Sequence, residues 1–276
     1  MDHQAHIPVE AEAARKDHLW PQISSLPYFR GLLRAVEARF YENITLPSPT
    51  LDLGCGDGHF AGLAFDRPLE VGLDPWQGPL LEAEKRAAYL KTVHAPGDKI
   101  PFESGFFASA VSNSVLEHIP ELDPVLSELA RVMKPDAPFV FCVPNHNFLK
   151  SLSISNFFDR AGLHALAKGY RRFFDRIARH HHCDDPQVWK ARLEKAGFEL
   201  QDWWHYFSPR ALRVLEWGHY FGLPSLVSRK LLGRWILVPA RWNLLLTESI
   251  TRPIYQEPSN QPEGTCTFYI ARRKSE

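Results

Sequence analysis

This 276-residue chain has no excess of charge of either sign, since 32 Lys and Arg balance 32 Asp and Glu. A balanced chain has no broad positive field, which argues against general nucleic-acid binding. The chain is also poor in cysteine: Cys55, Cys142, Cys183 and Cys266 are scattered and form no C-x-x-C pair. The sequence therefore predicts a reducing compartment and no structural zinc site.

Targeting and membrane-spanning segments are not evident either. The N-terminus, Met1–Gln4, has neither the basic residues nor the following apolar stretch of a secretory signal. The strongest apolar run, residues 231–246, is too short and too interrupted by charge to span a bilayer. We expect a cytoplasmic protein in which 231–246 packs on the core, lines a pocket for an apolar substrate, or lies in a membrane interface, where Arg and Trp are common.

What the chain does contain is a glycine-rich turn after a short apolar run. Residues 51–58 read Leu-Asp-Leu-Gly-Cys-Gly-Asp-Gly, and a second apolar run ends at Asp74. A strand, a glycine turn and a downstream carboxylate are typical of a fold that binds an adenosine-containing cofactor. Glycine lets the backbone approach the ligand closely, and the carboxylate accepts hydrogen bonds from ribose hydroxyls.

The spacing of this turn differs from two common nucleotide-binding turns. A dinucleotide-binding turn has a third small residue where this chain has His59. No G-x-x-x-x-G-K-[ST] sequence is present, so a P-loop is not supported. An NAD-dependent oxidoreductase is therefore the weaker alternative.

The pattern D-x-G-x-G-x-G at Asp52, Gly54, Gly56 and Gly58 resembles motif I of the class I S-adenosylmethionine (SAM) dependent methyltransferases. Further segments resemble the same family in the same order. They are 74–76, 97–102 (GDKIPF), 109–119 (SAVSNSVLEHI) and 129–135 (LARVMKP). The resemblance covers about residues 49–145 and is strongest to methyltransferases of ubiquinone and menaquinone biosynthesis. Asp136-Ala137 replaces the family's Gly-Gly, which affects a turn.

The resemblance implies SAM as the cofactor and a set of residues that hold it. It implies that Asp74 binds the ribose and that Asp98 meets the adenine amino group. Trp76 either covers the adenine or is a core residue. Asn113 is expected to present its backbone carbonyl to the SAM ammonium group. The complete implied set is Asp52, Gly54, Cys55, Gly56, Asp74, Pro75, Trp76, Asp98, Lys99, Asn113 and Ser114.

Alternating strand and helix patterns predict a parallel α/β sheet. The resemblance makes this a Rossmann-like methyltransferase fold with seven mostly parallel strands, an antiparallel last strand and helical cap insertions. We expect an N-terminal helical cap segment over 1–47 and a methyltransferase domain over 48–276, with inserted caps at about 145–185 and 207–262. The predicted strands are 49–53, 69–74, 91–94, 107–112, 139–143, 198–206 and 264–272.

Methyl transfer from a sulfonium is an in-line displacement, so alignment of the reactants is the main requirement and no metal is needed. A base is required only when the acceptor loses a proton. His118 follows the fourth predicted strand and is the candidate proton acceptor; a helix-start histidine without a catalytic part is the alternative. The run His180–Cys183 predicts no metal site, because adjacent side chains point in different directions.

The acceptor is expected to be a small or lipid-like molecule selected by the caps, because unusually long connections often carry binding function. Aromatic residues are frequent between Phe157 and Trp242, which favours an apolar or aromatic acceptor. Tyr28 and Arg30, on a predicted helix over 26–41, are candidates for binding the SAM carboxylate; a packing tyrosine and a solvated arginine are the favoured alternative. A SAM-binding protein without turnover is the second alternative, since the family has no obligatory catalytic residue.

Overall fold

The computed structural model describes residues 16–275. The first fifteen residues of the predicted cap segment 1–47, with Met1–Gln4 among them, and Glu276 lie outside the described residues.

A seven-stranded sheet forms the centre of the described chain. Its strands in chain order are β1 (Thr50–Leu53), β2 (Leu69–Asp74), β3 (Tyr89–His94), β4 (Ser109–Asn113), β5 (Pro138–Pro144), β6 (Phe198–Tyr206) and β7 (Cys266–Arg273). Across the sheet the order is β3-β2-β1-β4-β5-β7-β6. The first five strands pair in parallel, and β7 runs antiparallel between β5 and β6. The predicted Rossmann-like methyltransferase fold is confirmed.

Helices cover both faces of this sheet and extend beyond it. In chain order they are α1 (Leu19–Ile23), α2 (Tyr28–Tyr41), α3 (His59–Ala64), α4 (Gln77–Arg86), α5 (Leu122–Val132), α6 (Ser153–Arg160), α7 (His164–Ala178), α8 (Pro186–Lys195), α9 (Pro209–Phe221), α10 (Leu223–Leu232) and α11 (Arg241–Tyr255). Short 3₁₀ helices lie at Leu116–His118 and Leu149–Ser151. The two segments expected as caps, 145–185 and 207–262, hold α6, α7 and α9 to α11, while their status as separate units stays a prediction.

The core follows the two-residue alternation of the central strands. Phe139 and Phe141 of β5 face the side covered by α5 and α8, where they join Trp189. Val140 and Cys142 face the opposite side, where α2 lies. Successive side chains of a strand point to opposite faces, so a buried central strand is apolar throughout.

The start predicted for the third strand was wrong for a local reason. Helix α4 ends at Arg86, because Ala87 adopts a left-handed conformation with φ of 53°. The following strand starts at Tyr89 rather than Lys91, and the Tyr89 ring packs against Gly72. A Cβ on Gly72 would lie 2.8 Å from that ring, so glycine is what lets β2 and this tyrosine approach.

The apolar stretch 231–246 is divided between the interior and the surface of the protein, and its Trp235 lines a cavity. Leu244 is buried, whereas Leu231, Leu232, Leu245 and Leu246 are exposed. Within residues 16–275, no helix is long and apolar enough to cross a membrane.

Candidate functional site

The glycine turn after β1 is held against the end of β2. The backbone N–H groups of Gly54 and Cys55 both donate to the carbonyl oxygen of Leu73, at 2.8 and 3.0 Å. Gly54 and Gly56 have φ of 79° and 55°, a region that favours glycine. A Cβ on Gly54 would lie 2.3 Å from the Val115 side chain, whereas one on Gly56 would meet only open space. The backbone at Gly56 therefore faces a cavity that a ligand can enter.

Asp74, at the end of β2, connects the glycine turn to the segment that follows β2 through hydrogen bonds to its carboxylate. Its Oδ2 accepts a hydrogen bond from the Gly56 N–H at 2.9 Å, and its Oδ1 accepts one from the Trp76 N–H at 2.8 Å. Each carboxylate oxygen has a second lone pair for a further donor. Burial raises the pKa of Asp74.

A cavity of about 500 Å³ lies over the turn, and we call it the turn cavity. The residues of the predicted cofactor set that line it are Asp52, Gly54, Cys55, Gly56 and Asn113. The remaining members lie outside this lining: Asp74, Pro75 and Trp76 follow the β2 edge, Asp98 and Lys99 are exposed after β3, and Ser114 faces a second cavity. Trp76 is 71% exposed, so it is not a core residue.

Asp52 brings a buried carboxyl group to the wall of the turn cavity. The Tyr89 hydroxyl donates to its Oδ2 at 2.6 Å. Burial raises the pKa of Asp52 to about 6. The group is therefore mainly ionised at neutral pH and can face a cation, as an ammonium group requires.

Arg34 of α2 is a residue that the sequence patterns did not single out. Its guanidinium group donates to the backbone carbonyl of Asn113 at 3.1 Å and lies over the Phe60 ring at 5.4 Å. Arg30 precedes it by one helical turn, and both arginines line the turn cavity. Two arginines four residues apart on a predicted helix were the available signal. Tyr28, the other candidate on this helix, lines neither cavity.

Glu37, also on α2, was missed as well, although it organises the polar contacts beneath the site. Its buried carboxylate accepts hydrogen bonds from the Asn113 amide at 2.7 Å, the Ser114 hydroxyl at 3.0 Å and the Tyr206 hydroxyl at 2.8 Å. A carboxylate beside Val36 in the buried stripe of α2 was the sequence signal that could have found it.

A second cavity of about 440 Å³ lies between the sheet and the cap helices, and we call it the cap cavity. Its apolar wall includes Phe148, Phe174 and Ile177 from the first cap segment and Leu215 and Leu226 from the second. Arg30, Arg34 and Trp235 line both cavities, so the two spaces adjoin.

His118, the candidate proton acceptor, lines the cap cavity. Its Nδ1 lies 3.0 Å from the Arg179 carbonyl oxygen, and its ring lies 5.4 Å from that of His180. Burial lowers the pKa of His118. A neutral ring whose Nδ1–H donates to Arg179 keeps Nε2 free as the acceptor.

Glu117 lies beside His118 with its Oε1 3.7 Å from Nε2 of the imidazole. Its side chain is buried, and no described residue donates to Oε2. Burial raises the pKa of Glu117 to about 8, so the carboxyl group is largely protonated at neutral pH.

The fold also brings together metal-ligating residues that are distant in sequence. Donor atoms of Glu117, His118 and His180 lie within 4.8 Å of one another, and so do those of Asp175, His180 and Cys183. One carboxylate and two imidazoles form a donor set that transition metals accept. The spacing of the His180–Cys183 run alone did not indicate this proximity, because both groups need a partner from another segment.

The comparison with known proteins agrees with this geometry. A family model described as "Methyltransferase domain" matches residues 51–141, which span the glycine turn, Asp74 and β4. Residues 51–141 therefore carry a methyltransferase domain, and the resemblance of this chain to class I SAM-dependent methyltransferases is supported.

Two curated proteins that this chain resembles are malonyl-[acyl-carrier protein] O-methyltransferases. The protein from Geobacter sulfurreducens is 29% identical over 175 residues, which cover 61% of this chain and 62% of the relative. The protein from Legionella pneumophila is 29% identical over 129 residues, covering 43% and 45%. The chain thus matches less than two thirds of the length of these relatives.

Solved methyltransferases share the fold at low identity. A SAM-dependent methyltransferase from Thermotoga maritima has a TM-score of 0.52 at 14% identity, over 90% of each chain. The Haemonchus contortus phosphoethanolamine N-methyltransferase 2, solved in complex with SAM, has a TM-score of 0.54 at 16% identity, over 88% of this chain and 52% of that one.

His59 distinguishes the glycine turn of this chain from a dinucleotide-binding turn. The ring is buried at the wall of the turn cavity, and its Nε2 lies 2.8 Å from the Ser25 hydroxyl. It stands where a dinucleotide-binding turn has a small residue, so it opposes the NAD alternative.

Proposed function

We propose that this protein binds SAM in the turn cavity and transfers its methyl group to an apolar small-molecule or lipid-like acceptor in the cap cavity. The observation that carries the proposal is the shared wall of the two cavities, formed by Arg30, Arg34 and Trp235. A cofactor in one space and an acceptor in the other can meet there, as an in-line displacement requires.

The turn cavity offers groups that complement each end of SAM. The ionised Asp52 and the Asn113 carbonyl suit the ammonium group, while Arg30 and Arg34 suit the carboxylate. The open backbone at Gly56 allows close approach, and Asp74 keeps lone pairs for ribose hydroxyls. Trp76, exposed beside this edge, is available to stack on the adenine.

The cap cavity supports an apolar acceptor with one polar end. Aromatic and aliphatic side chains form most of its wall, and Ser114, Glu117 and His118 lie at its polar end. In the transfer the acceptor forms a bond to the methyl carbon, the sulfur–methyl bond breaks, and sulfur leaves as a neutral thioether. For an acceptor that loses a proton, His118 Nε2 is the group we assign to receive it.

Carboxylic acids and acyl thioesters belong in the first acceptor screen, since two curated relatives are named malonyl-[acyl-carrier protein] O-methyltransferases. Quinone precursors and lipids belong there as well, because the cap cavity is apolar.

Calorimetric titration with SAM and S-adenosylhomocysteine tests the cofactor. We expect binding to the wild type, loss of binding in Asp74→Ala and unchanged binding in the exposed control Asp66→Ala. Thermal melts of all three confirm that they are folded. A folded wild type that binds neither ligand would refute the proposal.

Transfer of a labelled methyl group from SAM then separates an enzyme from a SAM-binding protein without turnover. We expect label to appear in at least one acceptor of the screen. Binding of SAM together with no labelled product from any acceptor class would favour the non-catalytic alternative.

A further inference from the structure

The second cap segment carries an exposed apolar face, which we call the α10–α11 surface and define as the outward side chains of residues 226–250. Among them are Leu231, Leu232, Trp242, Leu245, Leu246 and Ile250. Trp242 and Leu246 are 71% and 73% exposed. A concentration of large apolar side chains on a folded surface marks a contact site.

Helix α11 has two opposite faces, and both are largely apolar. Leu244, Thr251 and Tyr255 are buried against the protein. Trp242, Leu245 and Ile250 recur at intervals of three to five residues on the other side and face outward. An ordinary surface helix is polar outward, so the outward face of α11 is built to meet an apolar environment.

Positive charge accompanies this apolar face. Lys230 and Arg234 are exposed, and neither forms a salt bridge with any residue of the described range. The segment 207–262 contains seven Lys and Arg and three Asp and Glu, within a chain whose charges balance overall. The surface is therefore complementary to an anionic apolar partner.

We propose that the α10–α11 surface binds peripherally to an anionic lipid bilayer. The Trp and Leu side chains enter the boundary between headgroups and acyl chains, while Lys230 and Arg234 contact lipid phosphates. No helix in the described part of the chain is suited to cross the membrane, so the attachment is interfacial.

A lipid surface fits this face better than a protein does. The outward side chains of α11 from Trp242 to Ile250 offer few groups that an acidic protein could hydrogen-bond, whereas acyl chains need none. A second copy would bring its own positive charge against that of the first, which disfavours self-association.

The position of this surface also bears on the acceptor. Leu226 and Trp235 belong to the same segment and line the cap cavity. A membrane-dissolved acceptor can therefore pass from the bilayer to the cavity along apolar side chains. The passage of an acceptor into the cap cavity rests on the proposed function, whereas the binding to a bilayer is independent of it.

Co-sedimentation with vesicles tests the inference. We expect the wild-type protein to pellet with vesicles of equal parts phosphatidylcholine and phosphatidylglycerol at low salt, and less at high salt. The double variant Leu245→Ser/Leu246→Ser removes exposed apolar area and is expected to bind about tenfold more weakly or worse. Lys230→Glu/Arg234→Glu is expected to abolish the preference for anionic vesicles. The control is Leu90→Ser, an equally exposed leucine on β3.

Three outcomes would overturn the inference. One is a wild type that stays in the supernatant with anionic vesicles at low salt. Another is a Leu245→Ser/Leu246→Ser variant that pellets as Leu90→Ser does. The third is a wild-type dimer that does not bind vesicles and that the same double variant converts to a monomer, which would assign the surface to a second copy.

Titration with S-adenosylhomocysteine on the same samples keeps the two proposals separate. A protein that binds S-adenosylhomocysteine but does not bind vesicles would contradict the bilayer inference alone. A protein that binds vesicles but does not bind S-adenosylhomocysteine would contradict the proposed function alone.

Discussion

The carboxylate of Glu37 accepts a hydrogen bond from the side-chain amide of Asn113 at 2.7 Å. This contact joins a helix that precedes the sheet to the end of a central strand. The Asn113 backbone carbonyl accepts from Arg34 of the same helix. Helix α2 thus holds both the side chain and the backbone of Asn113 in place. Because Asn113 lines the turn cavity, these contacts position the wall of that cavity.

Replacing Glu37 with Gln is expected to destabilise the fold and weaken cofactor binding. The new amide puts a donor where the Asn113, Ser114 and Tyr206 side chains already donate. The loss from this buried network is about 2–4 kcal/mol of unfolding free energy. Urea denaturation measures it, and calorimetry should show S-adenosylhomocysteine binding weakened about tenfold.

Glu103→Gln provides the control for Glu37→Gln, because it makes the same change at an exposed position. Equal stability of the two variants would mean that the Glu37 contacts do not hold the site together.

The buried Glu117 predicts a specific dependence of stability on pH. Burial raises its pKa from 4.5 to about 8 in the folded protein. The folded state therefore binds this proton more tightly than the unfolded state, so the group stabilises the fold at low pH. Its contribution is lost as the pH rises from about 4.5 through about 8, at about 1.4 kcal/mol per pKa unit.

The substitution Glu117→Gln keeps a neutral side chain at every pH, so it should remove the pH-dependent contribution of Glu117 to the free energy of unfolding. Relative to the wild type, the variant is expected to gain stability as the pH rises from 5 to about 8, by a few kcal/mol in total. Urea denaturation across this range gives the comparison. A difference that stays constant with pH, as expected for Glu103→Gln, would contradict the assignment.

Arg34→Met is expected to weaken S-adenosylhomocysteine binding by about 10–100-fold. The variant removes both a charged donor to the Asn113 carbonyl and a cation at the cavity wall, a loss of about 1.5–3 kcal/mol. Isothermal calorimetry provides the measurement. Arg213→Met, at an exposed position of α9, should leave the affinity unchanged; a similar loss there would point to net charge rather than to this contact.

His118→Gln is expected to lower kcat by about 10²–10⁴-fold for an acceptor that loses a proton. Burial lowers the pKa of His118 below 6.5, so the wild-type rate should rise with pH only below that value and then level off. The variant should lose this ascending limb and still bind S-adenosylhomocysteine.

The exposed His164 supplies the matched substitution His164→Gln for the pH–rate measurement. A full ascending limb in His118→Gln would show that another group accepts the proton.

Much of the sheet could be predicted because its determinants are local. A short segment with Leu51 and Leu53, followed by a glycine turn, predicts β1, and the sequence Asp185-Pro186 marks the start of α8. There the Asp185 carboxylate accepts hydrogen bonds from the Gln187 and Val188 N–H groups. These signals need no knowledge of distant residues.

The parts of the site that were missed depend on contacts between distant segments. Glu37 meets Asn113 across 76 residues, and His180 meets His118 across 62. No local pattern specifies such a pair, because each residue type also occurs on solvated helix faces. The sequence left the surroundings of Leu245 and Leu246 open for a related reason. Apolarity predicts removal from water and does not identify whether the protein core or another apolar environment replaces the water.

The hydrogen bond from Tyr206 to Glu37 has a consequence for how the protein is made. It links positions 169 residues apart, and Tyr206 is the last residue of β6. During synthesis, α2 and the glycine turn leave the ribosome long before this partner exists. A nascent chain that ends before Tyr206 has Glu37 without one of its three donors, so these contacts beneath the turn cavity are completed only after about three quarters of the chain is synthesised.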